Sequence, residues 1–282
     1  MKKILFPIAF LCLLSACSEN QEKAEKIYNS ALSRFEQGDY NLAKRDIDSI
    51  RSNYPKEFDV IRKSIRLMRK IEFQEQQRNF AYCDSMLTVY TNKSDSLKKQ
   101  FQFQIDKEYD QIGRYVQKSL TLDRNLNHNY LRAEVFENGT LQLISVYNGT
   151  SPLNHNHIKV SLKDGSYAET EAIPYDGGRN YRFKDEGMYH ERVTYNLKND
   201  GGVTGFIADF KDQPINLLFI GDKKEATSLL PEQKKAIAQS VELSSYLQSM
   251  QNLIEERRLA EAKLNLLKKK EEELAKKESS EK

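Results

Sequence analysis

Tyr130-Leu131-Arg132-Ala133-Glu134-Val135-Phe136, then Glu137-Asn138-Gly139-Thr140, then Leu141-Gln142-Leu143-Ile144-Ser145-Val146-Tyr147: this stretch decides the fold. Two β-favouring runs with apolar–polar alternation flank an Asn-Gly, the dipeptide that accepts the positive φ angles of a tight hairpin. The same pattern continues with runs at 158–162 and 167–173 around Asp164-Gly165, and with runs at 181–183 and 189–197 after Asp176-Gly177-Gly178. Val203, Phe206, Ile207 and Phe210 are instead three and four apart, the spacing of a short helix laid on a sheet. Residues 215–220 supply a last strand. Residues 129–222 therefore read as a β-rich, mostly antiparallel domain, with one helix-covered sheet as the first expectation and a sandwich as the second.

Outward from this domain the apolar period changes to that of helices. Residues 24–55 carry Ile27, Ala31, Leu32 and Phe35 on one helix, and Tyr40, Ala43, Ile47 and Ile50 on the next. Gly38-Asp39 separates them and Pro55 stops the second. The pair resembles a tetratricopeptide repeat, with Gly38-Asp39-Tyr40 at the turn, Ala31 and Ala43 where the helices cross, and Pro55 at the end. Ile50 stands where a further alanine is usual, and no large aromatic residue opens the motif. The resemblance implies a helical hairpin over 17–57 that stacks on something else, since one repeat cannot bury both faces. It also implies a partner surface, for which Phe35, Tyr40 and Tyr54 are the candidates.

Residues 58–128 continue the helical pattern through Phe58, Ile61, Ile65 and Met68, then Phe80, Cys83, Leu87 and Tyr90. A break is expected at 91–95, followed by a second helix through Leu97, Phe101, Ile105, Ile112 and Val116, and a linker. Facing stripes of this kind make an antiparallel coiled-coil hairpin. After the β-rich domain, 229–282 reads as a long helix that opens at Pro231, where a missing N–H costs nothing. Its tail from Lys268 mixes charges that pair four residues apart. The fold class is α+β: helical hairpins, then a sheet domain, then a long C-terminal helix.

The start of the chain gives an address. Met1-Lys2-Lys3 is basic, 4–14 is apolar but too short to span a bilayer, and Leu14-Ser15-Ala16-Cys17 follows. This resembles the lipobox of bacterial lipoproteins. The resemblance implies a signal peptide over 1–16, acyl chains on Cys17 that hold the chain to a membrane, and, with Ser18 next, export to the outer membrane. Removal of 1–16 would leave 266 residues (282 − 16), enough for one sizeable core with appendages.

Net charge is +3 from 44 basic and 41 acidic residues, so no bulk field steers nucleic acid, which is not an expected partner. Of the three cysteines, Cys12 falls in the signal segment and Cys17 in the lipobox. Cys83 sits at an apolar helical position, where a buried, inert thiol is expected.

No nucleophile elbow, phosphate loop, His-Glu-x-x-His or Cys-x-x-Cys occurs. His155-Asn156-His157 offers two imidazoles but no third ligand, and His190-Glu191 would face opposite sides of a strand. No metal, cofactor or catalysis is expected. Ser49, Ser85 and Ser96 each lie in an Asp-Ser-aliphatic triplet that resembles the acceptor of a bacterial envelope O-glycosylation system, with Ser96 the most accessible at the expected turn. The expected function is a lipid-anchored envelope scaffold that holds an envelope protein partner. One alternative is a small-ligand or glycan-binding sheet that uses Tyr167, Tyr175, Tyr181 and Tyr189. The other is a hydrolase in which His155, His157 or His190 meets a buried carboxylate only in the fold.

Overall fold

The computed structural model describes residues 11–108, 111–121, 125 and 128–280, without the side chains of 11–18 and 278. Most of the expected signal segment, and the side chain of Cys17, lie outside the described residues. No helix among the described residues is long and apolar enough to cross a membrane.

The class is α+β. Three helices come first: α1 (Leu11–Glu36), α2 (Tyr40–Asn53) and α3 (Phe58–Lys98). Ten strands follow, from β1 (Phe101–Gln104) and β2 (Arg114–Gln117) to β3 (Tyr130–Phe136), β4 (Leu141–Gly149), β5 (His157–Ser161) and β6 (Tyr167–Glu169). The set continues with β7 (Asn180–Asp185), β8 (Met188–Asn196), the short helix α4 (Val203–Asp209), β9 (Asn216–Ile220) and β10 (Lys224–Ser228). Helix α5 (Pro231–Ser280) ends the chain.

The chain forms two compact units, Met1–Ser85 with Glu255–Lys282, and Met86–Ile254. In the first, α1 and α2 close to a hairpin because Ala31 and Ala43, both fully buried, let the backbones approach. Gly38 makes the turn at φ 82°, and the amide of Asp39 bonds Arg34 O at 2.9 Å. Ile47, Leu67 and Ile71 fill the space between this hairpin and α3. Asp46 accepts from Arg34 at 2.7 Å and from Ser30 at 2.9 Å, and Lys44 pairs with Glu75 of α3 at 2.7 Å.

The second unit is a sandwich. A six-stranded antiparallel sheet in the order β1-β2-β3-β4-β8-β7 faces a four-stranded one in the order β10-β9-β5-β6. Leu131, Ala133, Val135, Leu143, Val193 and Tyr195 from the first share one core with Ile158, Val160, Leu217 and Phe219 from the second. Ala236, Ile237, Leu243 and Leu247 of α5 join that core. The hairpin turn is pinned as well: Ser244 and Gln248 of α5 donate to Gly139 O at 2.6 and 2.8 Å.

Three expectations are corrected. The sheet is two sheets, the second of the arrangements read from the sequence. The helical hairpin over 58–128 has no second helix: α3 runs unbroken for 41 residues, and β1 and β2 follow. The cap-like residues at 91–95 do not stop α3, because fully buried Ser94 bonds back to Thr91 O at 3.0 Å inside the helix. The spacing of Phe101, Ile105, Ile112 and Val116, four, seven and four residues, imitates a helix, but Phe101 and Val116 are buried on short strands while Ile105 and Ile112 are exposed. Gly113 leaves the room that the Phe103 ring fills. Finally, β10 (Lys-Glu-Ala-Thr-Ser) lacked any apolar alternation to announce it, being a polar edge strand.

Candidate ligand-binding site

In an antiparallel sheet, residues paired across strands share a face, and so do residues two apart. On the outer face of the six-stranded sheet this builds rows. Tyr130 pairs with Val146, Val146 with Arg192, and Arg192 with Tyr181. One row along, Asn148 pairs with His190 and His190 with Phe183. On the other side, Arg132 pairs with Ile144. The result is a groove of ≈ 310 Å³ with Ile144 and Val146 as apolar floor and Tyr181, Phe183 and His190 along one wall. Phe183 stacks on His190 at 4.6 Å and lies 5.7 Å from Tyr181. Tyr181 and Phe183 keep 45% and 47% of their surface exposed, which is unusual for paired aromatics and leaves area for a ligand.

The charges on this face are unbalanced. Glu134, 2% exposed, pairs with Arg132 at 2.5 Å and with Arg114 at 3.5 Å. Arg192 reaches solvent and has neither a hydrogen bond nor an ion pair among the described residues. The groove strips part of its hydration, which lowers its pKa; Glu134 opposes this, while Arg132 and Arg114 add repulsion. An anion placed beside Arg192 would relieve both penalties. His190, which lines the groove, donates Nδ1–H to Asn148 Oδ1 at 2.6 Å, and its Nε2 has no hydrogen-bond partner among the described residues. Asp185 at the rim is an acceptor.

The other polar cluster lies between the sheets. Glu191 of β8 accepts from the amides of Leu153 (2.8 Å), Asn154 (2.7 Å) and His155 (2.8 Å), which converge because Asn154 adopts φ 55°. His155 Nδ1–H donates to the same carboxylate at 2.8 Å, and Nε2 accepts from the Ser145 hydroxyl at 2.8 Å. Tyr195 OH lies 3.3 Å from Ser145. Burial lowers the His155 pKa despite Glu191, so the ring is neutral. Burial works against the Glu191 carboxylate too, but the bonds from His155 and the amides outweigh it and its pKa is lowered. Serine, imidazole and carboxylate are bonded in the order that activates a nucleophile. Yet Ser145 and His155 are 0% exposed, and a substrate carbonyl has no approach to the hydroxyl. The cluster holds the 151–156 segment against β4 and β8.

Comparison of the chain with protein-family models, curated proteins and solved structures returns no match. Geometry alone assigns the site.

The residues singled out in the sequence fall in several places. Phe35 stacks on Tyr40 at 5.9 Å, and both pack against the Ala31–Ala43 cluster; Tyr54 packs beside Ile50 and Val60. Phe35 also lines a ≈ 340 Å³ groove of the helical unit with Phe73 and Leu267. Of the four tyrosines proposed for a glycan site, Tyr181 alone is among the described residues lining the sheet groove. Tyr167 lies under Lys159, Tyr175 under Arg182 and Tyr189 under Lys184. His157 pairs with Glu169 at 3.3 Å, apart from His155, and no group of three metal-ligating side chains occurs among the described residues. Cys83 is a buried free thiol whose pKa is raised, first by burial and then by Glu256 and Asp84. Ser49, Ser85 and Ser96 all sit within helices, so Ser96 is not at a turn. The sequence reading missed Tyr130, Phe183 and Arg192. Tyr130 and Arg132 were legible as one face of β3, but their partners on β7 and β8 lie on strands about fifty residues away.

Proposed function

We propose that this chain is a lipid-anchored protein of the cell envelope, held to the outer membrane through Cys17, that works by non-covalent binding and not by catalysis. The observation that carries the binding reading is Arg192, a cation with no ion pair among the described residues, set between Val146 and Tyr181 in an open groove lined by aromatic rings. Buried Ser145 and His155 speak against hydrolysis, since the one nucleophile–base pair among the described residues that resembles a triad is walled off from solvent. The anchor rests on the lipobox resemblance at residues 14–17. A second reading keeps the repeat-like hairpin as the partner surface, supported by the groove beside Phe35, Phe73 and Leu267 and by exposed Leu259 and Leu266 one heptad apart on α5.

Photocrosslinking separates the two. A photoreactive residue is placed at Tyr181 or at Phe35 of the full chain, and intact envelopes are irradiated. Reproducible adducts from position 181 support the sheet groove. Adducts from position 35 alone move the binding surface to the helical unit. A chain that yields none from either position is not acting by binding at these surfaces.

A further inference from the structure

The sheet groove asks for three things at once. Arg192 has no ion-pair partner among the described residues, and it shares the field of Glu134 with two other guanidinium groups, Arg132 and Arg114. Asp185 is an acceptor, and His190 Nε2, opposite the Nδ1–H that Asn148 takes, has no partner among the described residues; both can meet the hydroxyls of a ligand. Tyr181 and Phe183 are neighbouring rings, each about half exposed, which suit packing against the C–H face of a second ring. A purely apolar aromatic ligand would leave Arg192 and Asp185 unanswered. A phosphorylated or sulfated polyanion would meet Asp185 with like charge. A single carboxylate on a polyhydroxylated ring satisfies all three demands, because a guanidinium takes a carboxylate through two parallel N–H bonds.

We propose that the outer face of the six-stranded sheet binds an acidic saccharide, with the sugar ring on Tyr181 and Phe183, its carboxylate on Arg192 and its hydroxyls on Asp185 and His190. This rests on the binding reading given above and names its ligand class. The volume of the groove, ≈ 310 Å³, suits one or two sugar units of a longer chain at a time. Binding at so open a site is weak and multivalent recognition along a polymer raises it.

The test is calorimetric titration of the full chain with an oligogalacturonate, its uncharged galactose counterpart of equal length, and dextran sulfate. Oligogalacturonate should bind, Arg192→Gln should weaken it by at least about tenfold, and Tyr181→Ala should weaken both sugars. Arg192→Lys keeps the charge but loses the paired N–H geometry, and should fall between wild type and Arg192→Gln. Thermal unfolding of each variant separates lost binding from lost fold; Arg192 is exposed, so its variants should melt as wild type does. Equal binding of the uncharged oligomer, unaffected by Arg192→Gln, overturns the acidic-sugar inference and leaves a binding groove. Equal or tighter binding of dextran sulfate overturns it as mere charge attraction. No binding of any of the three overturns the inference and, if position 181 also gives no crosslink, the binding reading with it.

Discussion

Ser145, His155 and Glu191 combine the bonding order of an activated nucleophile with burial. Burial makes their energetics those of a core network, where each member is costly only if a partner is lost. This has a pH consequence that can be worked out. The pKa of His155 in the fold lies below its ordinary 6.5. Below that value the unfolded chain takes up a proton that the folded chain refuses, so the unfolded state binds more protons and stability falls as pH drops. Glu191, also depressed, contributes stability that is present above its ordinary 4.5 and is lost as pH falls toward its folded value. The stability of the sheet unit should therefore fall in two stages as pH drops, the histidine stage first. His155→Gln should cost about 1–3 kcal/mol near neutrality through imperfect bonding. It should also remove the upper stage, leaving a flat melting midpoint until the carboxylate range. Thermal unfolding followed from neutrality down to about pH 4 reads both. A wild-type midpoint that stays level through 6.5, or the same slope in the variant, would show that His155 is not the group that titrates.

Among the elements, the joints matter more than the strands. Gly201 follows β8 at φ 58°, and a Cβ there would run into the carbonyl of Glu169 at the end of β6, which belongs to the other sheet. Gly202 has φ 81° but open space around it. Gly201→Ala should thus destabilise by more than about 3 kcal/mol, since strain and a backbone clash act together, while Gly202→Ala should cost about 1 kcal/mol. Chemical denaturation of the two variants checks the contrast, and similar losses in both would mean the sheets can part to admit a methyl group. The same joints explain what could be read in advance. The β3–β4 hairpin was legible because Asn138-Gly139 sets its turn locally and the alternation on either side sets its faces. Helix α4 was legible from the spacing of Val203, Phe206, Ile207 and Phe210, and the start of α5 from Pro231. β1, β2 and β10 were not, since four- and five-residue strands take their identity from the strand they pair with and not from their own period. The groove was half legible for the same reason. Tyr130, Arg132, Ile144 and Val146 follow from one hairpin, but Arg192, Tyr181 and Phe183 reach it only through the β4–β8 and β8–β7 registers.

At the scale of the whole molecule, the proposed envelope address raises the question of what would hold the chain at a membrane. Net charge is small: 44 basic and 41 acidic residues leave +3, and the tail from Lys268 alternates blocks of both signs. No described helix is apolar and long enough to span a bilayer. The attachment proposed from the lipobox resemblance is through acyl chains on Cys17, where each buried methylene would contribute about 0.8 kcal/mol and one chain alone gives only marginal, reversible binding. Two or more chains on one residue make the attachment stable, and it is indifferent to ionic strength because nothing electrostatic is involved. Flotation of cell membranes from expressing bacteria separates these terms. The wild-type chain should float with the membranes in both low and high salt, and mass spectrometry should find acyl groups on the peptide that begins at Cys17. Cys17→Ala should leave the membrane fraction at every salt concentration, and its thermal midpoint, measured alongside, separates a lost anchor from a lost fold. Release of the wild type by salt would point to a charged surface, and continued flotation of Cys17→Ala would place the anchor elsewhere in the chain. With the anchor removed, the sheet groove should bind as before, since its residues all belong to the Met86–Ile254 unit. Loss of ligand binding in Cys17→Ala would mean that the membrane surface is itself part of the site.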